Sequence, residues 1–169
     1  MTTPPFGQPV AQFDAVDLPK LTQLAEAIVA HLPASCVIGL VGTLGAGKTT
    51  FVQAIARAAD IDSDAVTSPT FTLLQTHQGQ INLHHLDAYR VADEDEFTEL
   101  GVDELFEDTE AWTLVEWADR MPRVMPPETL WICMTIADDD QQRNIGLFCD
   151  DAMIQRGVDA VVRAMDAAK

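Results

Sequence analysis

The amino-acid sequence predicts an α/β protein in three layers, with a mixed, partly antiparallel central sheet. Short apolar segments alternate along the chain with segments in which apolar residues recur at helical spacing. One apolar segment, at 36–41, leads through a glycine-rich loop into a helical pattern at 50–57. Two other segments flank Gly79 closely enough to form an antiparallel hairpin. Together these observations predict a mixed sheet packed against helices.

The chain length favours one domain. At 169 residues and 47% hydrophobic content, the chain can bury one α/β core but is short for two. Residues 1–10 are Pro-rich and are expected to form a disordered lead, so the single domain is assigned to residues 11–169. Residues 11–16 are predicted to be a short edge strand. The first helix is expected to follow Asp17, a suitable N-cap, and to stop before Pro33.

The run GTLGAGKTT begins at Gly42 and satisfies the G-x-x-x-x-G-K-[ST] pattern of phosphate-binding loops. Its glycines let the backbone curl so that successive N–H groups point at phosphate oxygens. Lys48 places a positive charge against the outer phosphates, and Thr49 offers its hydroxyl to a magnesium ion. With a strand before it and a helix after it, the loop indicates a P-loop NTPase-like fold that binds a nucleoside triphosphate. The loop residues expected to contact the nucleotide are Leu44, Gly45, Ala46, Gly47, Lys48, Thr49 and Thr50.

The remaining elements follow from periodicity and turn residues. A polar loop at 60–69 precedes the hairpin, acidic helical segments cover 93–107 with a break at Gly101, and a closing helix spans 151–168. Strands are predicted at 71–76, 80–87, 112–117, 128–137 and 144–149.

Two carboxylates end apolar strands. Asp87 stands where a phosphate-loop protein places an acid that organises magnesium, although it could instead only cap the turn that follows. Glu116 is expected to point into the ligand crevice at the carboxyl end of its strand, where it could touch magnesium through water or orient an attacking water. The neighbouring Trp117 either walls off this pocket or simply packs.

Two further groups of polar residues have competing interpretations. The hydroxyls around Pro69, including Thr70, occupy the loop in which nucleotide switches sense the γ-phosphate, but on chemistry alone a polar turn is the simpler interpretation. His84 and His85 alternate faces on a strand, so they cannot both point at one site. We therefore expect one packed and one exposed histidine rather than a metal site.

Charge and composition narrow the function further. With 10 basic against 27 acidic residues, the formal net charge is −17, so a basic face that grips nucleic acid directly is not expected. Cys36, Cys133 and Cys149 lie in apolar segments without metal-ligand spacing, which predicts buried reduced thiols. The sequence has neither a secretory leader nor an apolar run long enough for a bilayer, so we expect a soluble cytoplasmic protein that does not bind membranes.

Four segments in order, GTLGAGKTTF, VTSPTFTL, LHHLDAYRVADEDEFTELG and LVEW, resemble the TsaE (YjeE) family of small bacterial ATPases. The resemblance covers residues 17–131, and Thr43 departs from it by standing where the family often has an acid. It implies ATP and Mg²⁺ as ligands, with Lys48 on phosphate and the metal at Thr49, Asp87 and Glu116. It further implies that Thr70 is a switch-like hydroxyl and that Trp117 closes the site with Glu116. The implied catalytic residues are Lys48, Asp87 and Glu116.

The resemblance also implies a role. Members of the family support synthesis of N6-threonylcarbamoyladenosine in transfer RNA by hydrolysing ATP while docked on the TsaD and TsaB proteins, so transfer RNA is met only indirectly. The residues alone indicate a magnesium-dependent nucleotide hydrolase or switch. Three alternatives remain. A small-molecule kinase would need a clustered arginine lid, and a guanine-nucleotide switch would need an N-K-x-D segment, and this sequence shows neither. The third alternative is a nucleotide-binding scaffold without turnover.

Overall fold

A computed structural model describes residues 7–168, apart from the side chain of Ser63. These residues form one seven-stranded sheet in the order β1-β7-β6-β2-β5-β4-β3. The strands are β1 (Ala11–Val16), β2 (Cys36–Val41), β3 (Leu74–His77), β4 (Asn82–Asp87), β5 (Ala111–Glu116), β6 (Leu130–Ile136) and β7 (Arg143–Phe148). The helices are α1 (Leu18–His31), α2 (Lys48–Ala58), α3 (Glu94–Glu99), α4 (Val102–Phe106) and α5 (Ala152–Ala167). The predicted mixed α/β architecture is confirmed.

The sheet has a parallel centre and antiparallel margins. Strands β6, β2, β5 and β4 run parallel to one another, while β3 pairs antiparallel with β4, and β7 pairs antiparallel with both β6 and β1. Because parallel strands end at the same edge, the phosphate loop after β2 lies beside the ends of β4 and β5. In this register Asp87 is the cross-strand partner of Glu116.

Helices cover both faces of the sheet. On one face α1, α2 and α5 pack a core that includes Ile28, Ile55 and Val158 against Leu114. On the other face α3 and α4 cover a second cluster with Phe97 and other buried side chains. The arrangement is therefore the three-layer sandwich that the sequence predicts. None of the described helices is long and apolar enough to cross a lipid bilayer.

The predicted helix boundaries have identifiable causes. The Asp17 side chain accepts a hydrogen bond from the Lys20 amide at 2.9 Å, which caps α1. Asp151 caps α5 in the same way, accepting from the amides of Met153 at 2.8 Å and Ile154 at 2.9 Å. Gly101 adopts a left-handed conformation with φ of 75° and separates α3 from α4.

All five strands predicted after the phosphate loop have limits that differ by one to three residues in the structure, and the backbone explains two of these differences. The strand expected at 71–76 begins only at Leu74, because Leu73 has a left-handed φ of 64° and its amide donates to the carbonyl of Pro69 in a turn. Strand β5 ends at Glu116 rather than Trp117, whose φ of 58° takes the chain out of the extended region.

The N-terminal prediction is only partly covered by the described chain. Residues 1–6 of the expected disordered lead lie outside the described residues. Val10 already pairs with the sheet, since its amide donates to the carbonyl of Leu147 at 2.8 Å. The division into a lead and a single domain at residues 11–169 stays a prediction.

The prediction of buried thiols without disulfides is confirmed for two of the three cysteines and only partly for Cys133. All three cysteines are free, Cys36 and Cys149 are buried, and Cys133 is half-buried. Burial, helped by the nearby Cys149 and Asp151, raises the pKa of the Cys36 thiol to about 12.

Candidate nucleotide site

The phosphate loop connects the end of β2 to the start of α2 and depends on glycine at two positions. A Cβ on Gly42 would lie 2.4 Å from the carbonyl oxygen of Met134, so no larger residue fits beside β6. Gly47 adopts a left-handed φ of 98° directly before the first residue of α2. The loop consequently turns tightly onto the N-terminus of a helix, where backbone N–H groups attract anions.

Lys48 is buried under the loop and beside an aromatic ring. Its ammonium donates to the carbonyls of Gly42 at 2.8 Å and Thr43 at 3.1 Å. Its Nζ also lies 3.7 Å from the centre of the Trp117 ring, within cation–π range. Burial lowers the pKa of Lys48, and the nearby carboxylates, Glu116 foremost, act in the opposite direction.

Thr49 and Glu116 are hydrogen-bonded to each other. The Thr49 hydroxyl lies 2.8 Å from Oε1 and 3.0 Å from Oε2 of Glu116, at the carboxyl end of β5. Glu116 is a buried carboxylate with 3% relative exposure. The hydroxyl expected to meet magnesium and the acid expected to act through water therefore lie in one place.

Asp87 joins the site to the loop around Pro69. Its Oδ2 accepts from the hydroxyls of Thr70 at 2.7 Å and Ser68 at 3.2 Å. Its Oδ1 accepts from the Tyr89 amide at 2.8 Å, which is the hydrogen bond expected if Asp87 caps the turn that follows β4. Asp87 thus caps the turn after β4 and also contacts the loop around Pro69, which occupies the position of a nucleotide-switch loop.

Trp117 is held in a strained conformation at the rim. A left-handed φ is costly for a bulky side chain and is found mainly where function or packing demands it. The indole ring lies 4.9 Å from the Tyr89 ring at an interplanar angle of 41°. The two rings and the Lys48 ammonium form one wall of the site.

These side chains surround a cavity of about 370 Å³. Its lining residues are Leu44, Gly45, Gly47, Lys48, Thr49, Thr50, Ser68, Thr70, Asp87, Tyr89, Glu116, Trp117 and Arg143. Of the site residues predicted from the sequence, only Ala46 is missing from this lining. Its methyl group is buried in the core, and its amide donates to the carbonyl of Thr43 at 3.1 Å.

The donor set suits magnesium bound together with phosphate. Mg²⁺ prefers oxygen ligands and is usually held by one or two carboxylates plus substrate phosphates and water. Thr49, Glu116 and Asp87 supply one hydroxyl and two carboxylates at the same sheet edge. Among residues 7–168, no group of three or more histidine, cysteine or acidic side chains is placed to hold a metal without such help.

Sequence reasoning missed Arg143 as a site residue. Its Nε donates to the carbonyl of Ala46 at 2.9 Å and its Nη2 to that of Gly45 at 3.1 Å, so it braces the phosphate loop from β7. The contact arises because β6 lies next to β2 and β7 lies next to β6 in the sheet order, which no local pattern reveals. Tyr89 was visible within the HHLDAYR segment but was not assigned to the site.

The prediction for the two histidines was wrong. Both His84 and His85 are buried, at 8% and 0% relative exposure, because β4 lies between β3 and β5 and helices cover both faces. His84 contacts the Thr76 hydroxyl at 3.0 Å and Asp108 at 3.1 Å. His85 points to the opposite face, as expected from strand alternation, and its Nε2 lies 2.8 Å from Glu116.

Comparison with known proteins identifies the family to which the chain is similar. The family described as threonylcarbamoyl adenosine biosynthesis protein TsaE matches residues 16–145. The tRNA threonylcarbamoyladenosine biosynthesis protein TsaE of Treponema pallidum (strain Nichols) is 37% identical over 103 residues, covering 61% of this chain and 75% of that protein. The protein of the same name from Bacillus subtilis (strain 168) is 42% identical over 107 residues, covering 63% and 65%. The crystal structure of Bacillus subtilis YdiB matches with a TM-score of 0.74 and 28% identity over 90% of this chain and 94% of that one.

Proposed function

The chain belongs to the TsaE family of threonylcarbamoyl adenosine biosynthesis proteins, and we propose that it is a magnesium-dependent ATPase subunit of that process. In this proposal it acts in the cytoplasm, docks on the TsaB–TsaD complex and meets transfer RNA only through that complex. Hydrolysis of ATP resets the complex and allows multiple turnovers of the modification.

One observation supports this proposal above the others. The phosphate loop, Lys48, the Thr49–Glu116 pair and Asp87 line a single cavity although they come from three different strand ends. A glycine-rich turn that matched the motif by chance would not be expected to lie beside two buried carboxylates that face its lysine and hydroxyl. Their arrangement is the one that phosphoryl transfer by positioning and electrostatics requires.

Substrate binding follows from the loop and the helix behind it. The triphosphate of ATP lies along the loop, where backbone N–H groups and the N-terminal end of α2 stabilise its negative charge. The Lys48 ammonium moves from the loop carbonyls to the outer phosphates, a short change of partner. Trp117 and Tyr89 cover the phosphates and exclude water from that side.

The hydrolytic step uses the two carboxylates. Thr49, Asp87 and Glu116 would hold Mg²⁺, which would neutralise charge on the phosphates. Glu116 orients the attacking water and accepts its proton as the new P–O bond forms, while the bond between the γ-phosphorus and the β–γ bridging oxygen breaks and ADP leaves with that oxygen. Asp87 connects this chemistry to Thr70, so that the loop around Pro69 responds to the terminal phosphate.

The kinase alternative receives little support from the geometry. A small-molecule kinase closes several arginines over the phosphates, whereas Arg143 is the one arginine lining the described cavity. Its Nη1 also donates to the carbonyls of Asp140 and Gln142, so its donors are largely engaged by the backbone. A scaffold without turnover remains the alternative that the following experiment separates from an ATPase.

The test compares phosphate release by the unmodified protein, Lys48→Ala and Thr49→Ala, each with and without the TsaB–TsaD pair. Removing the charge or the magnesium ligand should lower turnover by about a hundredfold or more. Lys20→Ala removes a lysine from the exposed side of α1 and is the matched control. Circular dichroism checks that each variant is folded.

Two outcomes contradict the proposal. Full turnover in folded Lys48→Ala would mean that the loop is not the reaction site. Nucleotide binding by the unmodified protein without phosphate release, even with its partners, would identify the scaffold instead.

A further inference from the structure

The most deeply buried titratable side chain near the site is His85, which has no role in the function proposed so far. It lies on β4 with 0% relative exposure, and its Nε2 is 2.8 Å from Oε1 of Glu116. Glu116 is itself almost fully buried. The pair connects the hairpin β3–β4 to the carboxylate that faces Thr49.

The chemistry of the pair fixes which ring nitrogen carries hydrogen. An ionised carboxylate only accepts hydrogen bonds, so Nε2 of His85 must be the donor to Glu116. The other ring nitrogen, Nδ1, is buried and has no hydrogen-bond partner among the residues that the structure describes. The single directed contact of this imidazole is therefore the one to Glu116.

The surroundings of His85 argue against a purely structural role. Gln75 is its cross-strand partner, and Oε1 of Gln75, like Nε2 of His77, is buried without a partner in the described chain. Unpaired buried polar atoms destabilise a protein, and an apolar side chain at position 85 would avoid the cost of the unpaired Nδ1. What an apolar side chain cannot do is donate to Glu116.

The hydrogen bond constrains how Glu116 can point. The Thr49 hydroxyl contacts both carboxylate oxygens, and Nε2 of His85 contacts Oε1. In the proposed reaction the Thr49 oxygen would bind magnesium, so the hydrogen bond from His85 would remain to orient the Glu116 carboxylate. Partners that orient a catalytic or metal-facing group typically change activity by 10- to 100-fold when removed.

We propose that His85 is a positioning residue: its Nε2–H holds the Glu116 carboxylate in the orientation needed for hydrolysis, without contributing to nucleotide binding. This inference rests on the proposed ATPase function. His84 provides the internal contrast, because it lies on the same strand and is also buried but contacts Thr76 and Asp108 on the opposite face.

The first experiment separates turnover from binding. His85→Leu should lower kcat for phosphate release by about 10- to 100-fold, with the dissociation constant for ATP changed by less than about threefold. His85→Gln keeps an N–H donor near the position of Nε2 and should restore kcat to within about fivefold of the unmodified protein. His84→Leu is the matched control and should keep kcat, whatever it does to the melting temperature.

The second experiment does not depend on turnover and remains available if His85→Leu fails to fold. Nitrogen-15 NMR of the imidazoles, with His85 assigned by loss of its signal in His85→Gln, should show hydrogen on Nε2 in the nucleotide-free protein. Hydrogen on Nδ1 alone would overturn the inference, because such a ring cannot donate to Glu116.

The results also distinguish this inference from the function on which it rests. If Lys48→Ala loses turnover while folded His85→Leu keeps kcat within about twofold, the ATPase proposal stands and the role of His85 is overturned. Failure of His85→Gln to recover kcat overturns it as well, since packing rather than donation would then matter. If the unmodified protein shows no turnover with its partners, the ATPase proposal itself fails, whatever the tautomer of His85.

Discussion

Asp87 and Glu116 are cross-strand neighbours, yet each accepts hydrogen bonds from a different loop. Glu116 accepts from Thr49 of the phosphate loop, while Asp87 accepts from Thr70 of the loop that precedes β3. Lys48 lies close enough to both carboxylates for their charges to support its protonated form. At the scale of single residues, the site combines one positive side chain with two carboxylates rather than depending on one dominant group.

The two carboxylates near Lys48 predict what neutralising either acid does to phosphate release. Asp87→Asn and Glu116→Gln keep shape and most hydrogen bonds but lose charge, so phosphate release should fall by about a hundredfold. ATP binding, measured by calorimetry, should fall much less. Asp108→Asn is the control, because this carboxylate contacts His84 on the other face of the sheet. Normal turnover in the two site variants would leave Asp87 as a turn cap and Glu116 as a strand end.

Residues that belong to a local pattern could be placed from the sequence. The loop residues, Asp87 and Glu116 line one cavity because short motifs at strand ends fix where their side chains emerge. Arg143 and His85 could not be placed in this way. Their contacts depend on which strands become neighbours and on which face a strand turns to the core, and both are properties of the assembled sheet.

At the scale of elements, capping residues fix the ends of the helices that pack the core. Helix α5 begins at a carboxylate that accepts two amide hydrogen bonds, and it buries Ile154, Val158 and Val161 against the sheet. The amides of the first turn have no partners inside the helix, so the cap replaces hydrogen bonds that the helix cannot make.

Removing that cap should destabilise the protein by a predictable amount. Asp151→Ala is expected to lower the free energy of unfolding by about 1 kcal/mol, measured by urea denaturation. Asp150→Ala removes an acid from the preceding, exposed position and is the matched control. Equal effects of the two substitutions would mean that net charge, and not the cap, is responsible.

The sequence predicted these helix ends well because capping and periodicity are local. It placed the start of β3 and the end of β5 less accurately. Leu73 and Trp117 adopt left-handed conformations that apolar or aromatic residues rarely choose by themselves. The indole ring contacts Lys48, and Leu73 packs in the second core cluster, so these residues make contacts across the fold that local propensity could not reveal.

At the scale of the whole molecule, the site lies at one edge of the sheet and its rim is exposed. Leu44 and Phe71 are 79% and 83% exposed, and Arg90 lies 4.2 Å from the Phe71 ring. Arg143 is largely engaged by backbone carbonyls, so few of the groups that line the described cavity remain to offset charge on the transferring phosphoryl group. We therefore expect slow turnover alone and faster turnover when a partner covers the nucleotide.

Association with the TsaB–TsaD pair tests this expectation. On a sizing column the protein should elute with the pair when ATP or a non-hydrolysable analogue is present. Repeated cycles of transfer RNA modification should require hydrolysable ATP and should stop with Glu116→Gln. Lack of any association, or repeated cycles with that variant, would refute the role while leaving the ATP site intact.

The architecture as a whole was predicted at the level of class. Strand–loop–helix order and the hairpin around Gly79 indicate a mixed sheet in three layers, because the sequence carries both periodicities. The strand order is a different matter. It inserts β2 between β5 and β6, and this choice reflects the packing of many side chains that no single segment encodes.

The hydrogen bonds within the site have a thermodynamic consequence. Lys48, Thr49 and Thr70 already donate to acceptors of this chain, so arriving nucleotide exchanges existing bonds for new ones. An exchange releases far less heat than the number of new contacts suggests, since only the difference between old and new partners counts. The same exchange runs in reverse when product leaves, because each donor has an acceptor to return to. The hydrogen bonds to which these donors return therefore favour release of the nucleotide.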